Sequence, residues 1–215
     1  MAWDTERTRR LLLEAAVHEF AERGPDGARV NAIAARAGIN KERIYQYFGD
    51  KRGLFEAVLT DQLEQLAAAS PLSADKAGDL AEYAGHVFDF HRTHPQFLRL
   101  MYWEGLQPQD GELPAESARA SHYADKVAAL ATAQRAGTLT DDVAPGYLLY
   151  AVAALAAWWF AAPQVVRMIL GADTDNPEAL RAALVALVRR LEVRDQREIQ
   201  PPLGAGSPES GGTAI

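Results

Sequence analysis

At 215 residues, of which 48% are apolar and 24% charged, the chain is long enough for one ordinary domain or for a small head and a larger body. It contains no cysteine, which excludes a disulfide framework and thiolate-ligated metal and suits a reducing cytoplasm. The net charge of −7 argues at first against nucleic-acid binding, but the first 60 residues hold ten basic and nine acidic side chains, and the remainder twelve and twenty. Only the near-neutral N-terminal end could therefore approach a polyanion easily.

Residues 4–23 are predicted to form the first helix. Its apolar positions share one face and are Leu12, Leu13, Ala16, Val17 and Phe20. The helix should stop at residues 24–27, where Gly, Pro, Asp and Gly follow one another. The first ten residues are charged and polar, so we expect no signal peptide.

Residues 30–48 have the pattern of two short helices joined by a tight turn. Apolar residues recur at helical spacing as far as Ala37, and Gly38 then supplies the residue that a left-handed turn favours. Asn40 can accept hydrogen bonds from the backbone N–H groups that open the second helix. The side chains that can pack this helix back on the first are Ile39, Ile44 and Phe48. The pattern indicates a helix-turn-helix.

The outer face of the second short helix carries the donors, acceptors and aromatic edges that base edges and phosphates require. These side chains are Lys41, Glu42, Arg43, Tyr45, Gln46 and Tyr47. Packing on the first helix is the alternative role for the two tyrosines. The number of polar side chains on this face favours a surface that contacts DNA.

A fourth helix should begin at Asp50 or Lys51 and carry a continuous apolar stripe as far as Leu66. It starts beside the second short helix and runs into the body, which makes it the natural mechanical link between the two. The break at residues 70–73 marks the boundary with that body. Further helices are predicted at residues 75–93, 96–106, 114–136 and 177–194, with a loop at residues 107–112.

The stretch from Val143 to Val166 has no charged residue and is long enough to span a membrane. We expect it not to do so, because proline, glycine and glutamine interrupt it, alanine dominates it and no second span accompanies it. A helix that is apolar on all sides is better explained by burial against its own body and against a second copy of the chain. Such burial predicts a homodimer, with residues 177–194 as the helix that packs beside this stretch. Residues 195–215 are rich in Pro, Gly and Ser and are predicted to be a disordered tail.

These residues resemble a known family. The motifs Ile33-Ala34, Ala37-Gly38-Ile39 and Ile44-Tyr45-x-Tyr47-Phe48-x-x-Lys51-x-x-Leu54 look like the DNA-binding domain of the TetR family of one-component regulators, over about residues 12–59. The resemblance implies an all-α fold with an N-terminal three-helix helix-turn-helix domain and a larger helical ligand-binding and dimerisation domain. The implied boundaries are 1–49 for the DNA-binding domain, 50–70 for the linking helix, 71–194 for the effector-binding and dimerisation domain and 195–215 for the tail.

The resemblance also implies phosphate contacts. Lys51 and Tyr47 are the expected ones, and Arg29, at the start of the second helix, is a further candidate. The family usually has Thr or Ser just before Val30, so about 1 kcal/mol of helix capping must come from elsewhere here, with Asp26 as the candidate. Glu19 occupies a position of the first helix that is often apolar in the family.

Base contacts are assigned by chemistry. Lys41 or Arg43 would donate to guanine acceptors, and Glu42 would accept from a cytosine amino group. Tyr45 would contact a thymine methyl group. A symmetric dimer would place one such helix in each of two major grooves, so the expected operator is a palindrome.

The predicted body is rich in large aromatic side chains, several of which carry polar groups. Aromatic residues at helical spacing are more often core than ligand contacts, but in the resembled family this body encloses an apolar effector pocket. The candidates for its lining are Phe88, Tyr102, Trp103, Tyr150 and Trp158. Glu104, next to Trp103, is expected to point to solvent. An effector that prefers a different body conformation would shift the fourth helix and separate the DNA-reading helices from their grooves.

Three kinds of function compete. The best fit is a ligand-responsive transcriptional repressor in the cytoplasm that binds DNA as a homodimer and is released by a small-molecule effector of unknown identity; an activator of the same fold is the alternative. A dimeric helical adaptor without DNA binding is a further alternative. An enzyme would need a polar constellation that the sequence does not present, so we predict no catalytic residues, no cofactor and no membrane partner.

The histidines near residue 90 invite a metal hypothesis. His91 and His94 are one helical turn apart and His86 is near them, but no carboxylate stands at ligand spacing. We therefore expect these histidines to be solvated or hydrogen-bonded rather than metal ligands.

Overall fold

The computed structural model describes residues 2–73, 77–107, 113, 115–171, 174 and 176–192, apart from the side chains of residues 2–4 and 191, and every regular element in these ranges is a helix. The helices are α1 (Ala2–Gly27), α2 (Val30–Ala37), α3 (Glu42–Phe48), α4 (Lys51–Ala69), α5 (Leu80–Thr93), α6 (Phe97–Leu106), α7 (Glu116–Arg135), α8 (Pro145–Ala161), α9 (Pro163–Leu170) and α10 (Pro177–Glu192). The all-α prediction is confirmed. The predicted tail at residues 195–215 and most of the predicted loop at residues 107–112 lie outside the described residues.

The first three helices and the first half of α4 share one apolar core, which we call the head core. Its fully buried side chains include Leu12, Phe20, Ile33, Ile44, Leu54 and Val58. α1 breaks at Gly24, whose φ of 69° and ψ of 173° lie in a region that only glycine adopts readily. The predicted end of the first helix is thus confirmed, and the break turns the chain towards α2.

A second core, the body core, forms where α5 packs against α8 and α10. Its fully or almost fully buried side chains include Leu80, Phe88, Leu130, Val152, Leu184 and Val188. Arg181 of α10 reinforces the packing, because its Nε donates to Asp89 Oδ2 of α5 at 2.8 Å. The guanidinium crosses α5 over Gly85, where an added Cβ would lie 2.5 Å from Arg181 Nη2.

Head and body meet at two helices, not one. α4 runs from the head into the body as predicted. In addition, Arg99 Nε of α6 donates to the carbonyl of Ala21 in α1 at 2.7 Å, and Trp103 Nε1 donates to the same oxygen at 3.4 Å. Leu100 of α6 is fully buried in the head core. The body therefore contacts α1 directly through α6.

The apolar stretch from Val143 to Val166 is not one helix, and that part of the prediction is wrong. α8 ends at Ala161, Pro163 opens α9, and the two helices meet at 90°. A proline lacks the N–H that would continue the helical ladder, and its ring clashes with the preceding turn, so it fits the first position of a new helix. No single helix in the described ranges has the length and apolarity to cross a membrane; α8 and α9 reach them only together, across this bend.

Glu104 does not point to solvent as expected. Its side chain is buried, and its two carboxylate oxygens accept hydrogen bonds from Arg119 of α7 at 2.8 and 3.1 Å. The expectation was wrong because Glu104 lies next to Trp103 in sequence but on the side of α6 that faces α7.

Candidate DNA interface

The turn between α2 and α3 has the geometry that its sequence predicts. Gly38 is left-handed, with φ 67° and ψ 28°, and its N–H donates to the carbonyl of Ala35 at 3.2 Å. Asn40 Oδ1 accepts the N–H of Glu42 at 3.3 Å and so caps the start of α3. On the inner side of α3, Ile44 is fully buried in the head core. These contacts fix the orientation of α3 relative to α1 and α2.

Glu19 holds the start of α2, where the sequence lacks a hydroxyl cap. Its carboxylate is almost fully buried, and Oε1 accepts the backbone N–H of Arg29 at 3.1 Å. Arg23 Nε lies 3.2 Å from the same oxygen. The acidic residue that looked out of place in the first helix thus supplies the bond that we had expected from Asp26.

The predicted reading face of α3 is open to solvent. The exposed side chains on it are Lys41, Glu42, Arg43, Tyr45 and Gln46. Arg43 Nη1 donates to Gln46 Oε1 at 3.1 Å, one turn along the helix. Tyr45 is half exposed, so it does not pack on α1. Tyr47 is partly buried against the head core, with its ring edge-on to Phe48 at 6.2 Å between centroids.

Three of the predicted DNA contacts surround one shallow open depression between the starts of α2 and α3. Its lining consists of Arg29, Val30, Asn31, Ala32, Lys41 and Tyr45. Asn31 was missed by the sequence analysis, which looked for base contacts only on α3. The available signal was its position: it is an exposed polar residue in the first turn of α2, two residues from Arg29.

Lys51 is tied to the loop between α1 and α2. Its Nζ donates to the backbone carbonyls of Asp26 at 2.9 Å and Ala28 at 3.3 Å. The preceding residue, Asp50, caps α4 by accepting the N–H of Gly53 at 2.8 Å. An ammonium group has three N–H donors, so two of them fix the loop that leads to Arg29. Lys51 stays a predicted phosphate contact, with a structural role besides.

The predicted effector contacts lie in three different environments. Phe88 is buried in the body core, where its ring centroid is 4.9 Å from that of Phe160. Trp103 lies at the contact between α6 and α1, and Tyr102 beside it is half exposed. Tyr150 and Trp158 are exposed on the outer face of α8. A common lining of one pocket by these five side chains stays a prediction.

The three histidines of α5 and its C-terminus have separate surroundings. His86 Nε2 pairs with Glu82 at 3.2 Å, and His94 Nδ1 lies 3.0 Å from the carbonyl of Phe90, as the sequence suggested. His91 differs from the expectation: it is buried, and its Nδ1 finds no hydrogen-bond partner in the described part of the chain. Burial, with a smaller effect of His94, lowers the pKa of His91 to about 4. Among residues of described position, no group of three or more His, Asp or Glu could hold a metal ion.

Comparison with known proteins identifies the family. Residues 12–58 match the sequence profile of bacterial regulatory proteins of the tetR family, and residues 79–190 match the tetracyclin repressor-like C-terminal domain. The chain belongs to the TetR family. It is therefore a transcriptional regulator with a helix-turn-helix DNA-binding domain, and TetR-family regulators are not enzymes.

Individual TetR-family proteins resemble most of the chain. The HTH-type transcriptional repressor SCO4008 of Streptomyces coelicolor is 39% identical over 190 residues, which cover 88% of this chain and 97% of that protein. The HTH-type transcriptional repressor NicS of Pseudomonas putida is 27% identical over 205 residues, or 91% and 95% of the two chains. Among solved structures, SCO4942 from Streptomyces coelicolor superposes with a TM-score of 0.74 at 32% identity, covering 85% of this chain and 97% of that one.

Proposed function

We propose that the chain is a ligand-responsive transcriptional repressor that binds a palindromic operator as a homodimer and leaves it when a small-molecule effector binds. The observation that carries the proposal is the exposed, polar face of α3, held in place by buried Ile44 and the Asn40 cap. The similar proteins SCO4008 and NicS are both named repressors, which supports repression rather than activation. We place the protein in the cytoplasm, where its operator would be.

The outer faces of α8 and α10 support the homodimer. α8 is buried on its inner side at Leu148, Val152 and Ala156, yet it exposes large apolar side chains on the opposite side. These exposed residues are Tyr147, Tyr150, Leu155 and Trp158, and Leu187 of α10 is also half exposed. Apolar patches of this kind mark interaction sites on soluble proteins. We name this set the α8–α10 face and propose that it packs against the same face of a second copy, as two-fold symmetry requires.

The DNA contacts divide by chemistry. Arg29, Tyr47 and Lys51 would position the head on phosphates. Lys41, Arg43 and Glu42 would read base edges, with Tyr45 against a thymine methyl group and Gln46 supporting Arg43 through their hydrogen bond. Asn31 is added to this set because it lines the same depression as Arg29 and Lys41.

Selection of bound sequences from random duplex DNA tests the proposal. The purified protein should enrich an inverted repeat whose half-sites are centred one or more helical turns apart. No enrichment of any inverted repeat, at modest ionic strength and without added compounds, would refute the proposal. A reporter gene placed after the selected site distinguishes a repressor, which lowers expression, from an activator, which raises it.

Two head variants then separate base readout from phosphate contact. Glu42→Ala should change base preference at one position of each half-site, whereas Lys51→Ala should weaken binding to all sequences and reduce its salt dependence. Because Lys51 also holds the loop before α2, the folded fraction of that variant is measured by thermal unfolding. Arg135→Ala, at an exposed position of the body helix α7, removes the same charge outside the head and should leave DNA binding unchanged. Equal losses on specific and random DNA for both head variants would contradict this division.

A further inference from the structure

α7 is attached to the rest of the body in two different ways. Its backbone packs closely against α8, and its apolar residues Ala129, Leu130 and Ala133 belong to the body core, whereas two long cationic side chains reach α4, α5 and α6. Arg119 bonds to Glu104 of α6. Two turns further along, Lys126 Nζ donates to the carbonyl of Ser70 at 3.1 Å and to the hydroxyl of Tyr83 at 3.2 Å. The space between α7 and the helices α4–α6 is therefore bridged by polar groups rather than filled only by apolar packing.

Lys126 is a buried cation whose partners are neutral. Its side chain is 5% exposed, and its ammonium lies 4.9 Å from the centre of the Tyr83 ring. Arg119 has Glu104 as its counter-charge, but no acidic side chain of the described residues pairs with Lys126. Burial lowers the pKa of Lys126 to about 8, so most copies still carry the charge at neutral pH. Burial likewise raises the pKa of Tyr83 to about 12, so its hydroxyl remains neutral.

A buried charge without a counter-ion is unusual. Proteins normally pair such groups, because removing an ammonium from water costs several kcal/mol that only an opposite charge or several good hydrogen bonds offset. Lys126 uses a carbonyl and a hydroxyl, which leaves its charge without an acidic partner among the residues whose positions are described. An anion brought to this position would supply the opposite charge that Lys126 lacks and would form a charge-assisted hydrogen bond with it.

A second unused polar group lies one turn away. His122, four residues before Lys126, occupies the same face of α7, and its Nε2 is buried without a hydrogen-bond partner within the described ranges. Burial and the charge of Lys126 lower the pKa of His122. In the tautomer with its hydrogen on Nε2, the ring can donate to an acceptor beside the ammonium.

We propose that the effector is an organic anion, an acid group on an apolar frame, that binds between α7 and α4–α6 with its acid group on Lys126 and His122. The apolar frame would lie along Leu130 and Phe88, which belong to the body core. This inference rests on the proposed function, because it takes the body as the effector-binding part. The charge class of the ligand and the two residues that would bind its acid group go beyond that proposed function.

The contact between Lys126 and Ser70 explains how ligand binding in the body would change the position of the head. Ser70 is the C-terminal cap of α4, and the ammonium of Lys126 binds its carbonyl at the negative end of the helix. An acid group that binds the ammonium of Lys126 competes with the carbonyl of Ser70 and weakens the hydrogen bond between α7 and the end of α4. The opposite end of α4 begins directly after α3, so a shift of α4 moves the reading helix. The ligand can displace the equilibrium only by its different affinity for the two states.

A pair of fluorescent probes tests the charge class. 1-Anilinonaphthalene-8-sulfonate and neutral N-phenyl-1-naphthylamine have the same aromatic frame and differ in the sulfonate. The wild-type protein should bind the sulfonate more tightly, and Lys126→Met should weaken sulfonate binding about tenfold or more while leaving the neutral probe unchanged. Arg135→Met, which removes an exposed cation from the same helix, should keep the wild-type preference.

Lys126→Gln separates the charge from the structure. Glutamine keeps a neutral donor for the carbonyl of Ser70, so this variant should melt at about the wild-type temperature and still lose the preference for the sulfonate. The proposal is overturned if the wild-type protein shows no preference, or if Lys126→Met and Lys126→Gln bind the sulfonate as the wild type does. The probe titration contains no DNA, so failure to bind an inverted repeat refutes the proposed function alone. With a selected duplex, the sulfonate should release the wild type but not Lys126→Gln.

Discussion

The imidazole of His91 lies among aromatic rings, with ring centroids 5.6 Å from Phe97 and 6.0 Å from Phe160. Its pKa of about 4 is lower than the 6.5 expected in the unfolded chain, so the unfolded state binds more protons between these values. Stability that depends on the neutral ring is thus complete above pH 6.5 and is lost as the pH falls towards 4. The difference between the two pKa values corresponds to about 3 kcal/mol in the free energy of unfolding.

His91→Phe should therefore reduce the acid-induced loss of unfolding free energy between pH 7 and pH 4 by about 3 kcal/mol, measured by urea denaturation at each pH. If the free energy of unfolding falls equally with pH in His91→Phe and in the wild type, the buried imidazole does not cause the loss of stability in acid.

Glu19 is expected to stabilise the head. Glu19→Ala removes the buried acceptor for the partly buried N–H of Arg29 and should lower the free energy of unfolding by roughly 1–2 kcal/mol. Glu22→Ala, an exposed change on the same helix, should stay within about 0.5 kcal/mol of the wild type. Chemical denaturation of the two variants measures the difference, and equal stabilities would rule out a role for Glu19 at the start of α2.

Single residues could be predicted from the sequence where their partners are local. Gly38 and Asn40 act within two to five residues of themselves, so turn and capping rules suffice. Glu19 bonds to a residue ten positions away, and Glu104 to one fifteen positions away on another helix. Such partners depend on how helices pack, which a pattern within one helix does not contain.

At the scale of elements, the contact between α6 and α1 depends on Gly24. A Cβ added there would lie 2.8 Å from the ring of Trp103, and the positive φ with ψ of 173° is itself unfavourable for any other residue. Gly24→Ala should lower the free energy of unfolding by about 1–3 kcal/mol. Thermal and urea denaturation check this value.

Gly27→Ala is the matched control for this contact. Gly27 lies in the same segment, but its added Cβ would meet only Arg23 Cβ, at an ordinary 3.4 Å. The control should lose much less stability than Gly24→Ala. If the two variants are equally stable, neither the backbone conformation of Gly24 nor its contact with Trp103 constrains the head against the body.

Hydrophobic periodicity in the sequence predicted where the helices lie, but it did not predict how they pack against one another. The apolar faces of α1 to α5 were clear because each repeats at helical spacing. The break between α8 and α9 was missed because the alanine-rich sequence is apolar on both sides of Pro163, so hydrophobicity alone gave no boundary. The inward positions of Arg119 and Lys126 on α7 were missed because charged residues are normally read as solvated.

At the scale of the whole molecule, the α8–α10 face is the proposed dimer surface. Tyr150→Asp combined with Leu187→Asp places two charges in the centre of that face and should give a monomer by sedimentation velocity at micromolar concentration. Leu106→Asp changes an exposed leucine at the end of α6 and should leave the dimer intact. A dimer that survives the double change would locate the interface elsewhere, and a monomeric wild type would refute the homodimer.

The uneven charge of the chain is consistent with this assembly. A dimer joined through α8 and α10 would keep the acidic bodies together and present two near-neutral heads to one duplex. The motif in residues 30–54 predicted the helix-turn-helix head, whereas the apolar stretch at residues 143–166 and the helix at residues 177–194 predicted the dimer, which stays a prediction. The charge of the effector could not be predicted, because it depends on Lys126 meeting Ser70 and Tyr83, which lie 56 and 43 residues away.

The most direct test of the central claim is the stoichiometry and affinity of the protein on a selected inverted repeat, measured by sedimentation and by fluorescence anisotropy. Two chains should bind each duplex, at least about a thousandfold more tightly than a scrambled duplex of the same length. Binding to a duplex with one half-site scrambled should be much weaker. One chain per duplex, or equal affinity for the intact and scrambled sequences, would contradict the account.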